Sequence, residues 1–289
     1  MIKGSLVKIA LLIAGTSLSL LPGSANAAGL ITGLGGPLGF GTDSVFRNDD
    51  SGVGPVPLPF PINFYGGNYN NYFVNTNGNI TFQSVLGAFT PSFFPGAPQP
   101  IIAPWWADVD TRNPSTGDNG LVWYVNPDAN TTVVTWNNVG VFAQLNPPSN
   151  NFQLILRNLA PTTGTTGDFS IEFRYDDLNW TTGQASGGDS NGLGGTPAVA
   201  GFDSGNGMDY VVLPGSGTSG PTGVLNLVNT SNANEPGAWR FKVINGRPST
   251  GSVPSPLPVL GIGAAFGYSR KLRNRINNVK TPKVLSAIG

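Results

Sequence analysis

Two carboxylates lie close to two indole rings in the middle of the chain, within residues 105–110. In an extended strand, Asp108 and Asp110 would face the same side, about 7 Å apart. Carboxylate oxygens at that separation suit a hard cation. We therefore predict a candidate calcium site at Asp108 and Asp110, with Asp49, Asp50 or a loop carbonyl as further ligands.

Two other interpretations of the same carboxylates stay open. Asp110 or Asp108 could pair with Arg112 or cap a turn while the other is solvated, since the chain has no twelve-residue EF-hand loop. Alternatively, the two could serve as the acid and base of a glycosidase, which needs two carboxyl groups roughly 5–9.5 Å apart. The only glutamates, Glu172 and Glu235, lie far from them in the sequence.

The adjacent residues Trp105 and Trp106 would point to opposite faces of a strand, which predicts one in the core and one exposed. An exposed indole is a candidate platform for a sugar ring, so Trp105 and Trp106 are predicted glycan contacts. The alternative is that these rings fill a β-sheet core. The same two interpretations apply to the other large aromatics: Trp123, Trp136, Trp180, Trp239, Tyr65, Tyr69 and Tyr72.

Composition excludes several classes of function. The 289 residues include no cysteine and no histidine, which removes thiol nucleophiles, disulfides, the usual zinc sites and imidazole bases. Charge is segregated along the chain: all fifteen acidic residues but only seven basic ones lie between residues 43 and 247, a net charge of −8. Such a body would be repelled by nucleic acid and anionic head groups, whereas cations and neutral polysaccharide fit it.

Apolar residues alternate with period two through the middle of the chain, which predicts an all-β fold: a single antiparallel β-sandwich or barrel-like domain. Residues 56–64 place a proline at every second position up to Pro61, and proline cannot donate to a neighbouring strand, so this strand belongs on a sheet edge. Asn77-Gly78 predicts a hairpin with a type I′ turn. Further strands are predicted at residues 121–126, 132–142, 152–158, 169–175, 198–202, 210–213, 224–228 and 239–244.

Six short runs in a fixed order resemble the NIDO domain, an extracellular module of adhesive and matrix proteins, in its bacterial form. They are residues 48–52, 59–66, 74–82, 134–140, 151–156 and 171–176, together with residues 105–112. The resemblance implies a secreted, non-catalytic protein.

Both ends resemble processing segments. Residues 1–27 have the basic start, apolar stretch and small-residue pattern of a secretory signal peptide, with cleavage between Ala27 and Ala28. Residues 254–276 resemble a PEP-CTERM-type sorting tail, which implies an exosortase-type sorting enzyme and transient membrane insertion. Its apolar part, residues 257–268, would span only about 18 Å as a helix. The residues that carry this interpretation are Pro254, Pro256, Arg270, Lys271, Arg273 and Arg275.

We thus predict a signal peptide (1–27), a NIDO-like domain (28–244), a linker (245–253), a sorting segment (254–276) and a C-terminal extension (277–289). The predicted function is adhesion or interaction at the cell surface or in the extracellular matrix, with extracellular polysaccharide or a surface protein as partner. The alternatives are a carbohydrate-binding module and a carboxylate-only glycosidase.

Overall fold

The computed structural model describes residues 27–249, in which two antiparallel sheets pack face to face. One sheet has eight strands, in the order β1-β7-β8-β9-β10-β13-β14 with β6 paired to β8, and the other has six, in the order β12-β11-β5-β4-β3-β2. The strands are Asp43–Ser44 (β1), Gly52–Phe64 (β2), Gly67–Asn75 (β3), Asn79–Thr81 (β4), Ile101–Trp106 (β5), Val109–Asp110 (β6), Leu121–Asp128 (β7), Thr131–Val141 (β8), Leu145–Asn158 (β9), Phe169–Asp177 (β10), Val199–Asp203 (β11), Tyr210–Val212 (β12), Ala238–Ile244 (β13) and Arg247–Pro248 (β14). The predicted all-β, antiparallel sandwich is confirmed.

Helical structure in the described residues is confined to four short segments. One is a single α-helical turn, Ala160–Thr163, and three are 3₁₀ turns at Pro114–Thr116, Gln184–Ser186 and Val224–Val228. The predicted strand at residues 224–228 is therefore wrong. Val224 and Leu227 are both buried, three residues apart, which is the spacing of a 3₁₀ turn on the core and not of a strand.

Large aromatic rings from both sheets fill the space between them. Trp136 of β8 stacks on Phe152 of β9 with ring centroids 5.1 Å apart, and Trp105 of β5 packs against both Phe152 and Trp180. These rings are fully buried. Since the chain has no cysteine, this packing supplies the stability that a disulfide would give a smaller secreted domain.

The prediction for the proline-rich strand is confirmed, because β2 forms one edge of the six-stranded sheet. Its apolar side chains from Leu58 to Phe64 are buried at every second position, while Pro55, Pro57 and Pro61 are exposed. The pairing of β2 with β3 shifts register between Pro57 and Ile62. Proline cannot donate to a ladder, so it is tolerated at an edge where no second neighbour requires its N–H.

The hairpin between β3 and β4 forms as predicted, but its turn differs. Asn75 pairs with Asn79, which leaves a three-residue loop, and only Gly78 has a positive φ, of 74°. A type I′ turn needs two residues with positive φ, so that part of the prediction is wrong. Asn77 has no positive φ, and its side chain makes two hydrogen bonds that are described below.

The folded domain extends beyond the predicted boundary at residue 244. The chain turns at Asn245-Gly246 and returns as β14, in which Arg247 pairs with Ile244. The first residues of the predicted linker therefore belong to the eight-stranded sheet. At the other end, the backbone N–H of Ala28 donates to the carbonyl of Pro236. The predicted signal peptide up to residue 26 and the sorting residues Pro254, Pro256, Arg270, Lys271, Arg273 and Arg275 lie outside the described residues.

We predict that Gly78 is the glycine of the β3–β4 hairpin that tolerates substitution least. A Cβ atom added there would overlap the carbonyl oxygen of Trp105, which lies beside the turn, and the positive φ would add strain. We expect Gly78→Ala to lower the free energy of unfolding by about 3 kcal/mol or more, measured by urea denaturation.

Gly66 provides the matched control, because its φ is also positive, 88°, but no atom lies within 4 Å of the added Cβ. Gly66→Ala should therefore cost only the backbone strain, about 1 kcal/mol. Equal losses in the two variants would show that the close approach to Trp105 is not what restricts Gly78.

Candidate functional site

Two connections between the sheets meet at one end of the sandwich. Strand β5 of the six-stranded sheet ends at Trp106, residues 107–108 cross over, and β6 begins at Val109 in the eight-stranded sheet. Residues 45–51 make a similar crossing from β1 to β2. Because the strand is interrupted at residue 107, Asp108 and Asp110 do not form the simple same-face pair that the sequence predicts.

Asn48 joins the two crossings. The backbone N–H of Thr111 donates to the Asn48 carbonyl (3.0 Å), and the Asn48 N–H donates to Thr111 Oγ1 (2.9 Å). Its side-chain oxygen accepts hydrogen bonds from the Ser51 N–H and the Thr76 hydroxyl. A short amide thus satisfies backbone groups of a loop that would otherwise leave them unpaired.

Asn77, at the tip of the β3–β4 hairpin, is fully buried at the same place. Its Oδ1 accepts from the backbone N–H of Val109 (3.0 Å) and its Nδ2 donates to Asp50 Oδ1 (2.9 Å). The hairpin tip therefore contacts both crossings, which fixes the position of Asp50 relative to Asp108.

Three carboxylates converge on this end: Asp49, Asp50 and Asp108 each place one oxygen within 4.8 Å of the others. Asp108 is 1% exposed, and neither of its carboxylate oxygens has a hydrogen-bond partner among the described residues. Asp49 Oδ1 is likewise buried without a partner. Unpartnered buried carboxylate oxygens are rare in folded proteins and need an explanation.

The electrostatics of the trio disfavour three negative charges in the absence of a cation. Burial, followed by repulsion from Asp49, Asp50 and Asp110, raises the pKa of Asp108 to about 7. Burial, followed by repulsion from Asp110 and Asp50, raises the pKa of Asp49 to about 6. Arg112 favours the charged form of both acids, but burial and the neighbouring carboxylates outweigh it.

Asp110 has a different environment. The Arg112 side chain donates to it twice, from Nε to Oδ1 (2.9 Å) and from Nη2 to Oδ2 (2.6 Å), and the Gln144 N–H donates as well. Burial opposes ionisation, but these hydrogen bonds outweigh it and lower the pKa of Asp110. The structure thus gives Asp110 the Arg112 pairing considered from the sequence, and it brings Asp108 together with Asp49 and Asp50.

The expected exposure of one tryptophan is wrong, since Trp105 is 0% and Trp106 1% exposed. Trp105 faces the core between the sheets. Trp106 faces the other side, where residues of the long β4–β5 connection cover it: its Nε1 donates to the Ala88 carbonyl (2.7 Å), and Phe94 packs on its ring. A sugar cannot stack on either ring in this fold. The remaining tryptophans, Trp123, Trp136, Trp180 and Trp239, are also buried.

The geometry does not suit the glycosidase alternative either. Both Asp108 and Asp110 are 1% exposed, so a glycosidic bond has no access between them. Asp110 is moreover held as an ion pair by Arg112, at 2.6 Å, which removes it as a proton donor.

A second ionic cluster lies on the eight-stranded sheet around Glu172, which is 4% exposed. Its carboxylate accepts from Arg157 (2.5 Å), Arg174 (2.7 Å) and Arg240 (3.0 Å). Burial alone would raise the pKa of Glu172, but the hydrogen bonds from the three arginines outweigh it and lower the pKa below its ordinary value. This cluster is internally satisfied and needs no ligand.

The described residues thus form an all-β sandwich in which three carboxylates converge at one end. The family model described as "Nidogen-like domain" matches residues 70–245. Mouse alpha-tectorin is 35% identical over 222 residues, which cover 68% of this chain and 10% of alpha-tectorin. Drosophila melanogaster nidogen is 30% identical over 227 residues, which cover 70% of this chain and 16% of nidogen. The chain belongs to the nidogen-like domain family.

A more distant relative is dendrite extension defective protein 1 of Caenorhabditis elegans, 24% identical over 210 residues. No solved structure matches the chain significantly. The chain corresponds to a small part of these relatives, 10–16% of their lengths. Family membership supports the extracellular location and the interaction role that the resemblance implies. Within residues 27–249, no helix is long and apolar enough to cross a membrane.

We predict that Glu172 gives the domain a stability that depends on pH. Because its pKa is lower in the folded state than in the unfolded chain, its contribution is complete above about pH 4.3 and is lost as the pH falls through the folded-state pKa. Glu172→Gln should lower the free energy of unfolding at pH 7 by about 3 kcal/mol, since it removes the buried carboxylate that three arginines share. Arg174 and Arg240 would keep Glu235, but Arg157 has no other carboxylate partner among the described residues.

Urea denaturation of both proteins between pH 7 and pH 3 measures this effect. The difference between wild type and Glu172→Gln should shrink as the pH falls below about 4. A difference that stays constant across that range would contradict the assignment of the stability to the ionised carboxylate.

Proposed function

We propose that the domain is an exported, non-catalytic interaction module that acts in adhesion or in assembly of an extracellular polymer layer. Its partner class is extracellular polysaccharide or a surface protein. Membership of the nidogen-like domain family carries this proposal. Two features of the chain support it: the net charge of −8 between residues 43 and 247, which suits neither nucleic acid nor anionic lipid, and the burial of both Asp108 and Asp110.

Contact with a partner requires an accessible side chain on a rigid base, and Phe46 meets both conditions. Its side chain is 63% exposed. It lies on the crossing loop of residues 45–51, which is held by Asn48 and by Arg47, whose guanidinium donates to the Thr116 hydroxyl (3.0 Å). Exposed aromatic residues on ordered loops are typical anchors in protein interfaces and stacking platforms for sugars.

We predict that Phe46→Ser weakens binding of the purified protein to extracellular polymer from the producing cells by at least about tenfold, as expected for loss of one aromatic anchor. Met208→Ser is the matched control, because Met208 is 76% exposed but lies on the β11–β12 connection. Binding is measured by sedimentation with the polymer over a range of protein concentrations. Equal losses in both variants would contradict a role for Phe46.

The same assay separates the partner classes. Binding that survives protease treatment of the polymer and is reproduced on a glycan array would favour the carbohydrate-binding alternative. Binding that is lost after protease treatment would favour a protein partner. Breakdown of the polymer by the purified protein would contradict the non-catalytic function.

We also propose that the chain is processed at both ends: cleavage after Ala27, and sorting through residues 254–276 by an exosortase-type enzyme with transient membrane insertion. The motifs of the sequence support this proposal. We expect protein recovered from the culture medium to have the intact mass of a polypeptide that begins at Ala28 and ends before residue 277. A mass that includes residues 1–289 would contradict both cleavages.

A further inference from the structure

We propose that Asp49, Asp50 and Asp108 bind one calcium ion at the end of the sandwich where the two crossings meet. The proposal concerns a cation site and does not depend on the proposed adhesive function. It differs from the sequence prediction in its ligands, because Asp110 pairs with Arg112 and Asp49 and Asp50 take its place.

The first observation that points to a ligand is the state of Asp108. Its carboxylate is 99% buried, approaches the oxygens of Asp49 and Asp50, and accepts no hydrogen bond from any described residue. The neighbouring backbone at Gly183 approaches so closely that an added Cβ would overlap Asp108 Oδ2. The protein packs around this carboxylate without supplying a donor, which is the arrangement expected where a metal ion is the missing partner.

The second observation is the balance of charge. Four carboxylates lie together at this end: Asp49, Asp50, Asp108 and Asp110. Among the described residues, Arg112 is the one basic side chain whose charge offsets those of Asp49 and Asp108. It pairs with Asp110 and contacts Asp49 Oδ2 at 2.9 Å. The local excess of negative charge is what a divalent cation neutralises.

The donor chemistry and spacing select calcium. All candidate ligands are oxygens, and the chain has no histidine or cysteine to favour zinc. Two oxygens bound to one calcium at 2.3–2.6 Å lie at most about 5 Å apart, and the three carboxylates lie within 4.8 Å of one another. Calcium also tolerates irregular coordination, whereas magnesium demands near-octahedral geometry with oxygens at roughly 2.0–2.1 Å, which would draw the three carboxylates to at most about 4.2 Å from one another.

Ion access and the remaining ligands come from the Asp50 side. Asp50 is exposed, and its Oδ1 accepts from Asn77. Asp49 Oδ1 and both oxygens of Asp108 have no partner among the described residues. One oxygen from each of Asp49, Asp50 and Asp108 provides a protein ligand, and water entering beside Asp50 completes the six to eight that calcium takes. The bound ion would hold residues 45–51 to residues 107–108 and so join the two sheets at this end.

Thermal unfolding of the purified full-length protein in chelator and in about 5 mM calcium or magnesium tests the proposal. With a dissociation constant of about 10⁻⁴–10⁻³ M, typical of extracellular calcium modules, calcium should raise the Tm by about 2–8 °C. Asp108→Asn should abolish that rise. In chelator, its Tm should equal or exceed that of the wild type, since the substitution removes an unpaired buried charge. Loss of a merely structural residue would lower it.

Asp118→Asn is the control, because Asp118 is exposed and lies outside the trio. It should respond to calcium as the wild type does. No shift in the wild type, the same shift in Asp108→Asn, or an equal shift with magnesium would overturn the proposal. If Asp108→Asn does not fold, Asp50→Asn decides, since Asp50 is at the surface. It should weaken calcium binding at least about tenfold in calorimetry, and unchanged affinity would overturn the proposal.

Discussion

The crossing of the chain between two sheets at one end of the sandwich is the constraint on which this part of the structure depends. A crossing segment has no strand partner, so its backbone groups need side chains or ligands to satisfy them. Asn48 and Asn77 meet that need for residues 45–51 and 107–109. In the loops that these two side chains hold, one carboxylate oxygen from each of Asp49, Asp50 and Asp108 lies within 4.8 Å of the others.

Two buried acids of the same domain show how surroundings decide the state of a carboxylate. Glu172 and Asp108 are both nearly inaccessible, but their pKa values move in opposite directions. Three arginines satisfy Glu172, so its charge stabilises the fold. Asp108 has no such donor, so its charge is a cost unless a cation compensates it. The first is a structural ion cluster, and the second is the candidate site.

Much of the fold could be predicted from the sequence, because alternation and proline placement are local signals. The edge position of β2 and the hairpin at Asn77-Gly78 follow from such signals. Burial of Trp106 could not be predicted, since it depends on a long connection that folds back over the outer face of the six-stranded sheet. The strand predicted at residues 224–228 is wrong because a short apolar run fits a strand and a buried 3₁₀ turn alike.

The candidate site, like the fold, could be predicted from the sequence only in part. The sequence identifies three oxygen donors: Asp49, Asp50 and Asp108. Their convergence could not be predicted, because they lie on loops separated by nearly sixty residues and hydrophobic periodicity does not show which distant loops meet in space. Likewise, Arg112 was recognisable as a partner, and the structure assigns it to Asp110. The break in the strand at residue 107 separates Asp110 from Asp108.

The most direct measurement is a crystal structure of the protein grown with calcium, with anomalous diffraction recorded from the ion. We expect one anomalous peak bounded by Asp49, Asp50 and Asp108, with oxygens at about 2.3–2.6 Å and the Asp110–Arg112 pair unchanged. An Asp108 carboxylate that is hydrogen-bonded to protein or water, with no ion beside it at saturating calcium, would contradict the proposed calcium site.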